Sequence, residues 1–204
     1  MRDSEFLLGK KGFGKYLVAC NLLNEMGFEE WLFYPGMLFD SLEKWWRKRG
    51  QRPAPHEGTD FCLYKNKAGK ECRLDETIRI PVMYDGKIVK IGKDFLGKSV
   101  YVSHDIRNGY GKQLYSIYGH TEPYSTIYKG CVLKEGDTFA TISDSKKKKV
   151  DILSHLHITM AWIPESYPYE RLNWAAIGER AGDITLMNPM EIIGWKYSIK
   201  ENID

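Results

Sequence analysis

Two hydrophobic periods divide the chain. Before residue 50 the apolar positions fall at helical spacing. Tyr16, Leu17, Leu22, Leu23 and Met26 predict a helix over Lys15–Met26, closed by Gly27. Pro35-Gly36 marks a turn. Met37, Leu38, Leu42, Trp45 and Trp46, with charges between them and Gly50 behind, predict a second amphipathic helix over Met37–Arg49. Residues 1–50 are thus expected to form a helical arm packed on a main domain of residues 51–204. Arg47–Pro55 reads as a basic, solvated connector.

From His56 onward the pattern turns to β. Runs rich in Val, Ile, Tyr and Thr cover Phe61–Tyr64, Ile78–Val82, Lys87–Ile91, Ser99–His104, Gln113–Tyr118 and Thr138–Ile142. Asp85-Gly86 and Asn108-Gly109 are hairpin-type turns between them. Helical spacing returns only near Tyr169–Gly182. The fold class expected is mainly β, an antiparallel sheet with a small α appendage. The last apolar run, Ile152–Thr159, holds His155 and His157 one residue apart. On a strand both imidazoles point one way, and Leu156 and Ile158 point the other way into a core.

Composition narrows this picture. A chain of 204 residues with 43% hydrophobic content makes one ordinary domain. Aromatic residues make up 13%, enough to line a groove. The net charge of +3 is mild, and no nucleic-acid partner is expected. No apolar run reaches the roughly 18 residues of a membrane span. The N-terminus lacks the apolar core of a secretory signal, which leaves the compartment open between cytoplasm and export. The oligomeric state is not legible. Cys20, Cys62, Cys72 and Cys131 form no CxxC pair, so a cysteine zinc finger is not expected. Free thiols are expected, although Cys62 and Cys72 could face each other across a hairpin.

The chemistry lies in three segments. The first, His56-Glu57-Gly58-Thr59-Asp60, has H-x3-D spacing, which shares one face if extended; Gly58 lets the backbone pass close beneath an ion. The second is Tyr118-Gly119-His120, and the third is His155-Leu156-His157. Zinc favours imidazole nitrogen and carboxylate oxygen, and a catalytic zinc takes three protein ligands and a water. His56, Asp60 and one of His155 and His157 supply that number. The remaining two histidines are free for proton transfer near neutral pH. His104 is expected in a structural or supporting role. Lys146–Lys149 reads as a solvated loop that could rim the site.

In this order H-x3-D, Y-G-H and H-x-H resemble the M23 (lysostaphin/LytM-type) zinc metallopeptidases, over roughly Pro53 to Trp195. Ser99–His104 is similar to the family's strand before its glycine turn. Lys129–Asp137 resembles its K-G-x-x-V-x-x-G-D turn, and Asn188-Pro189-Met190 its N-P-hydrophobic close. The resemblance implies a largely antiparallel sheet with a duplicated motif and one zinc ion in a groove across it. It implies His56, Asp60 and His157 as ligands, and His120 and His155 as catalytic histidines that orient or deprotonate the water and stabilise the oxyanion and leaving amine. It implies cleavage of peptide bonds in bacterial cell-wall (peptidoglycan) cross-links or glycine-rich peptides. The alternative is a zinc-binding, non-catalytic regulatory or wall-binding module, which a groove blocked by the arm or by the aromatic residues of Trp162–Trp174 would produce. A sugar-transport phosphocarrier domain would leave Asp60 and the H-x-H spacing unexplained. Neither HExxH nor the deaminase P-C-x-x-C occurs. The chain departs from the family before H-x-H, where Ser143–Leu153 is lysine-rich without glycine, and after it, where Ile158 and Thr159 stand and an aromatic insertion covers Trp162–Trp174. Those loops set substrate choice.

Overall fold

The computed structural model describes residues 12–46, 50–148 and 150–200. Helix α1 (Phe13–Cys20) leads into β1 (Phe28–Phe33). Then come β2 (Thr59–Phe61), β3 (Leu63–Asn66), β4 (Glu71–Arg73), β5 (Arg79–Pro81), β6 (Gly86–Lys93), β7 (Lys98–Arg107) and β8 (Lys112–Pro123). The chain continues through β9 (Val132–Leu133), β10 (Thr138–Ile142), β11 (Leu156–Pro164), α2 (Trp174–Gly178), β12 (Thr185–Met187), α3 (Met190–Ile193) and β13 (Tyr197–Ile199). The fold is mainly β, as the alternating runs predict.

The large sheet runs β12-β11-β8-β7-β6-β9, with β2 on β11 and β10 bridging β8 and β5. Its pairings are antiparallel. A smaller mixed sheet runs β13-β1-β3-β4, with β13 parallel to β1. Alternation along the central strands separates two apolar layers. Ile158, Met160 and Trp162 of β11 join Leu114 and Tyr118 of β8 in the larger core. Ala161 and Ile163 join Tyr115 and Ile117 in a second cluster, capped by Leu172, Ile177 and Ile184. The β11 side chains are therefore buried on both faces.

Residues 12–46 depart from the two helices expected there. Over Lys15–Met26, α1 ends at Cys20, where Asn21 Nδ2 donates to Leu17 O (2.8 Å) and to Arg79 O (2.8 Å), and Leu22 turns left-handed at φ 54°. Phe28–Phe33 is a strand that the periodicity did not announce, because all but one of its residues are buried. The helix expected over Met37–Arg49 is absent from its described part. One 3-10 turn (Pro35–Met37) gives way to irregular chain through Trp46, and Arg47–Arg49 lie outside the described residues. The cause is local hydrogen bonding: Asp40 N donates to His56 O (2.8 Å), His56 N to Ser41 O (3.0 Å), Arg52 N to Leu42 O (2.7 Å) and Lys44 N to Gly50 O (2.8 Å). Backbone groups that a helix would pair internally are engaged by the connector alongside.

Helix α1 and strand β1 also share the main core. The Phe61 ring meets Phe13, Trp31 and Phe33 with centroids at 6.3, 5.2 and 5.3 Å. Edge-to-face aromatic packing of this kind contributes beyond its buried area. Near Tyr169–Gly182 only Trp174–Gly178 is α-helical, flanked by 3-10 turns. All four cysteines are free thiols.

Candidate metal centre

Register builds the site. On β11, His157 pairs with Asp60 of β2 on one side and Gly119 of β8 on the other. Three remote segments therefore meet across adjacent strands. Asp60 lies in β2, but His56 sits in the loop before it, so the H-x3-D pair is brought together by a turn and not by one extended face. Gly58 is required for a reason the sequence did not show. A Cβ there would lie 2.2 Å from Ile158 O and 2.7 Å from His157 Nε2, so the loop passes against β11 rather than beneath an ion. Gly119 is similarly tight: Trp174 Cζ2 and His157 Cβ would stand 3.1 and 3.3 Å from its added Cβ.

His56, Asp60 and His157, all buried, form a group that could hold a metal ion. His157 Nδ1 lies 2.8 Å from Asp60 Oδ1 and 3.1 Å from His56 Nε2, and His56 Nε2 lies 3.3 Å from Asp60 Oδ1. His56 Nδ1 is 3.1 Å from Leu38 O, and a carbonyl only accepts, so Nδ1 carries the hydrogen and Nε2 the lone pair. His157 Nε2 can donate to Thr159 Oγ1 at 2.8 Å, which turns the Nδ1 lone pair inward. Two imidazole lone pairs and a carboxylate oxygen then face one another, and only a cation or a proton between them offsets the repulsion. Ligands on a tetrahedral zinc at about 2.0–2.1 Å stand about 3.3 Å apart, close to these spacings. The donor set fits the ion.

Asp60 is further constrained from the N-terminal side. Its Oδ2 accepts from Trp45 Nε1 at 2.7 Å and faces Arg52 Nη2 at 3.6 Å, which leaves Oδ1 to the histidines. Burial alone would raise the Asp60 carboxyl, yet its histidine neighbours hold it well below the usual range, so it stays ionised and able to ligate a cation.

His155 and His120 complete the cluster. Their rings lie 4.7 Å apart, and His120 is 5.9 Å from His157. His155 Nδ1 donates to Leu153 O at 2.7 Å, and Nε2 stands 3.8 Å from Asp60 Oδ1. Burial pushes His155 down to about 3 against the pull of Asp60, with His120 and His157 adding to the fall, so it is a neutral imidazole. His120 has a left-handed backbone, φ 61°, uncommon for a residue with a Cβ. Its N–H donates to Asp94 Oδ2 at 2.8 Å, and its Nδ1 lies 3.2 Å from Asp94 Oδ1.

All five expected residues line one cavity of about 180 Å³, walled also by Trp46, Arg52, Phe95 and Trp174. Trp174, from the aromatic insertion, stands edge-on to His157 at 5.0 Å. A second cavity of about 480 Å³ is also lined by Trp46 and Ile152, with Lys146 in its wall. Lys149 lies outside the described residues. His104 is elsewhere: its Nδ1 donates to Asp85 O (3.0 Å) and its Nε2 faces Ser116 Oγ (2.7 Å), a structural role. Sequence reasoning missed Asp94, Trp45 and Arg52. None belongs to a motif, and Asp94 is 26 residues from His120.

Fold and site define a mainly β protein with a His–Asp–His group able to bind a metal ion. No protein-family model and no curated protein matches the chain. Among solved structures it is similar to the SpoIIQ–SpoIIIAH pore-forming complex at 15% identity, over 91% of this chain and 92% of the other, with TM-score 0.43. It is similar to the catalytic domain of the prophage-encoded M23 protein EnpA from Enterococcus faecalis at 17% identity, over 58% and 78%, with TM-score 0.36. It is also similar to a protein assigned as the glycyl-glycine endopeptidase LytM from Ruminococcus gnavus, at 16% identity, over 71% and 50%, with TM-score 0.40. M23 peptidase domains and components of a pore-forming complex thus both stand among its neighbours. Among the described residues no helix is long and apolar enough to cross a membrane.

Proposed function

We propose that this chain is a zinc-dependent endopeptidase of the M23 type, hydrolysing peptide bonds in peptidoglycan cross-links or glycine-rich peptides. The observation that carries the proposal is the convergence of His56 Nε2, Asp60 Oδ1 and His157 Nδ1 beside two further histidines in one cavity. His56, Asp60 and His157 would hold the zinc. When bound, zinc acts as a Lewis acid and lowers the pKa of a coordinated water to about 7.

The two other histidines then take different roles. His155 is neutral, and its Nδ1 hydrogen is engaged by Leu153 O. Its Nε2 therefore accepts a hydrogen bond and can orient a water; oxyanion stabilisation would need a second proton that burial disfavours. His120 has a carboxylate behind its Nδ1, which leaves Nε2 to take a proton in the cavity and pass it to a leaving amine. Arg52 adds fixed positive charge to the wall. The 180 Å³ cavity is smaller than the roughly 300–1,000 Å³ of a typical ligand site, and a 480 Å³ cavity shares Trp46 and Ile152 with it, so a chain-like substrate would have a second recess beside the centre.

One observation favours a second reading, a metal-binding module without turnover. Trp46, from the segment before residue 50, and Trp174, from the insertion, both narrow the cavity. One experiment separates the two. Zinc-loaded protein and its His120→Ala variant are incubated with purified peptidoglycan and with a glycine-rich peptide, and fragments are read by mass spectrometry. Wild-type cleavage with a loss of about 10²–10⁴-fold in the variant supports the peptidase. Bound zinc with no cleavage of either substrate supports the module.

A further inference from the structure

Asp94 binds more partners than a turn requires. Its Oδ1 accepts from Leu96 N at 2.9 Å and Gly97 N at 2.7 Å, which closes the turn between β6 and β7. That is the usual work of an aspartate in a loop. The same carboxylate also takes the N–H of His120 (2.8 Å), stands 3.2 Å from His120 Nδ1, and accepts Ser99 Oγ–H at 2.6 Å. Ser99 Oγ in turn accepts from Trp174 Nε1 at 2.9 Å. The indole of Trp174 stands 5.0 Å from the His157 ring and packs over Gly119. One buried carboxylate, 1% exposed, therefore connects the free histidine to a histidine of the metal group.

The backbone of His120 makes this connection specific. A left-handed residue with a Cβ persists only where its surroundings over-determine it. Here Asp94 Oδ2 takes the N–H, and the C=O accepts from Ser143 N at 2.8 Å. The ring is fixed by the same group, because a carboxylate in this environment only accepts. His120 Nδ1 must carry hydrogen, and Nε2 is the nitrogen left for the cavity. The Asp94 carboxyl is held below the usual carboxylate range: burial would raise it, but hydrogen bonds from the His120 side chain and backbone and from the Ser99 hydroxyl outweigh burial. It stays an acceptor at neutral pH.

We propose that Asp94 is a positioning residue of this centre: it sets His120 in the Nδ1–H tautomer and, through Ser99 and Trp174, seats the ring of His157. The role in turnover rests on the peptidase reading above; the tautomer and the seating do not. A carboxylate that holds a histidine in one tautomer is a recurrent device in general-base sites, and its replacement by the amide leaves the geometry while spoiling the tautomer.

The test is long-range ¹⁵N–¹H correlation NMR of the histidine rings in the zinc-loaded full chain. Wild-type His120 should show a protonated Nδ1 and an unprotonated Nε2. An Nε2–H tautomer in the wild type overturns the proposal with no variant needed. In Asp94→Asn, which keeps an oxygen for the turn, the His120 signals should move to a mixture of tautomers. Ser99→Ala should leave the His120 tautomer unchanged and shift the Trp174 indole N–H and the His157 ring. A folded Asp94→Asn with an unaltered His120 tautomer reduces Asp94 to a loop staple and overturns the proposal. Where the wild type cleaves substrate, Asp94→Asn should lower kcat by roughly 10²–10⁴-fold with KM and zinc content held. A wild type without cleavage defeats the peptidase reading and leaves the tautomer result to decide this one.

Discussion

At the scale of the residue, burial decides which histidines can carry charge. His104 is fully buried between Asp85 O and Ser116 Oγ, and burial pushes it down to about 4 against the pull of Asp85. In the unfolded chain the ordinary value is 6.5. The depressed folded value means that stability is fully present above the unfolded value and is lost as pH falls toward the folded one. From about pH 7 to about pH 5 this one group should remove about 2 kcal/mol. Urea unfolding at the two pH values checks it, with His104→Gln losing less over the same interval than the wild type. Equal losses in the two proteins would contradict the assignment. The meeting of His56, Asp60, His120, His155 and His157 in one cavity was legible because residues of these types at H-x3-D, Y-G-H and H-x-H spacing are not what a core requires. Asp94, Trp45 and Arg52 were not legible. A lone aspartate before Phe95 reads as a turn, which it also is, and a tryptophan among charges reads as a helix face. Their second partners lie in other segments, and sequence spacing does not report those contacts.

At the scale of the element, strand register makes the centre. Asp60, His157 and Gly119 stand abreast on β2, β11 and β8, so any shift of β2 on β11 would separate two members of the metal group. Gly58 permits the loop that delivers His56 to lie against β11. Gly58→Ala would drive a Cβ into a backbone carbonyl that cannot swing away. The variant should lose about 1–3 kcal/mol or more, with lower metal affinity, seen in thermal unfolding and zinc titration. An unchanged melting temperature would mean that the loop has room the packing denies it. The β-runs after residue 56 were legible because period-two alternation and turn residues agree. Over residues 37–46 the expected helix failed because its apolar spacing answers to two neighbours, the core and the connector, whose backbone takes the hydrogen bonds. Strand β1 was missed because both its faces are buried and no alternation remains.

At the scale of the whole molecule, residues 12–46 and the sheet are packed into one core. Phe13, Trp31 and Phe33 share the core with Phe61 and Ile158, Trp45 bonds a carboxylate of the metal group, and Trp46 walls its cavity. The segment that apolar spacing reads as part of a helical arm contributes Trp46 to the wall of the metal cavity. Trp46 and Ile152 line both cavities, so the wall of the metal cavity and the geometry of Asp60 depend on one segment, residues 45–46. The central claim is that His56, Asp60 and His157 hold one zinc ion that serves peptide hydrolysis. Its most direct measurement is the zinc content of the purified full chain beside His157→Ala, by elemental mass spectrometry after dialysis against zinc-free buffer. The account predicts one equivalent in the wild type and loss of most of it in the variant, because a three-ligand site falls to two. A full equivalent retained by His157→Ala would contradict it.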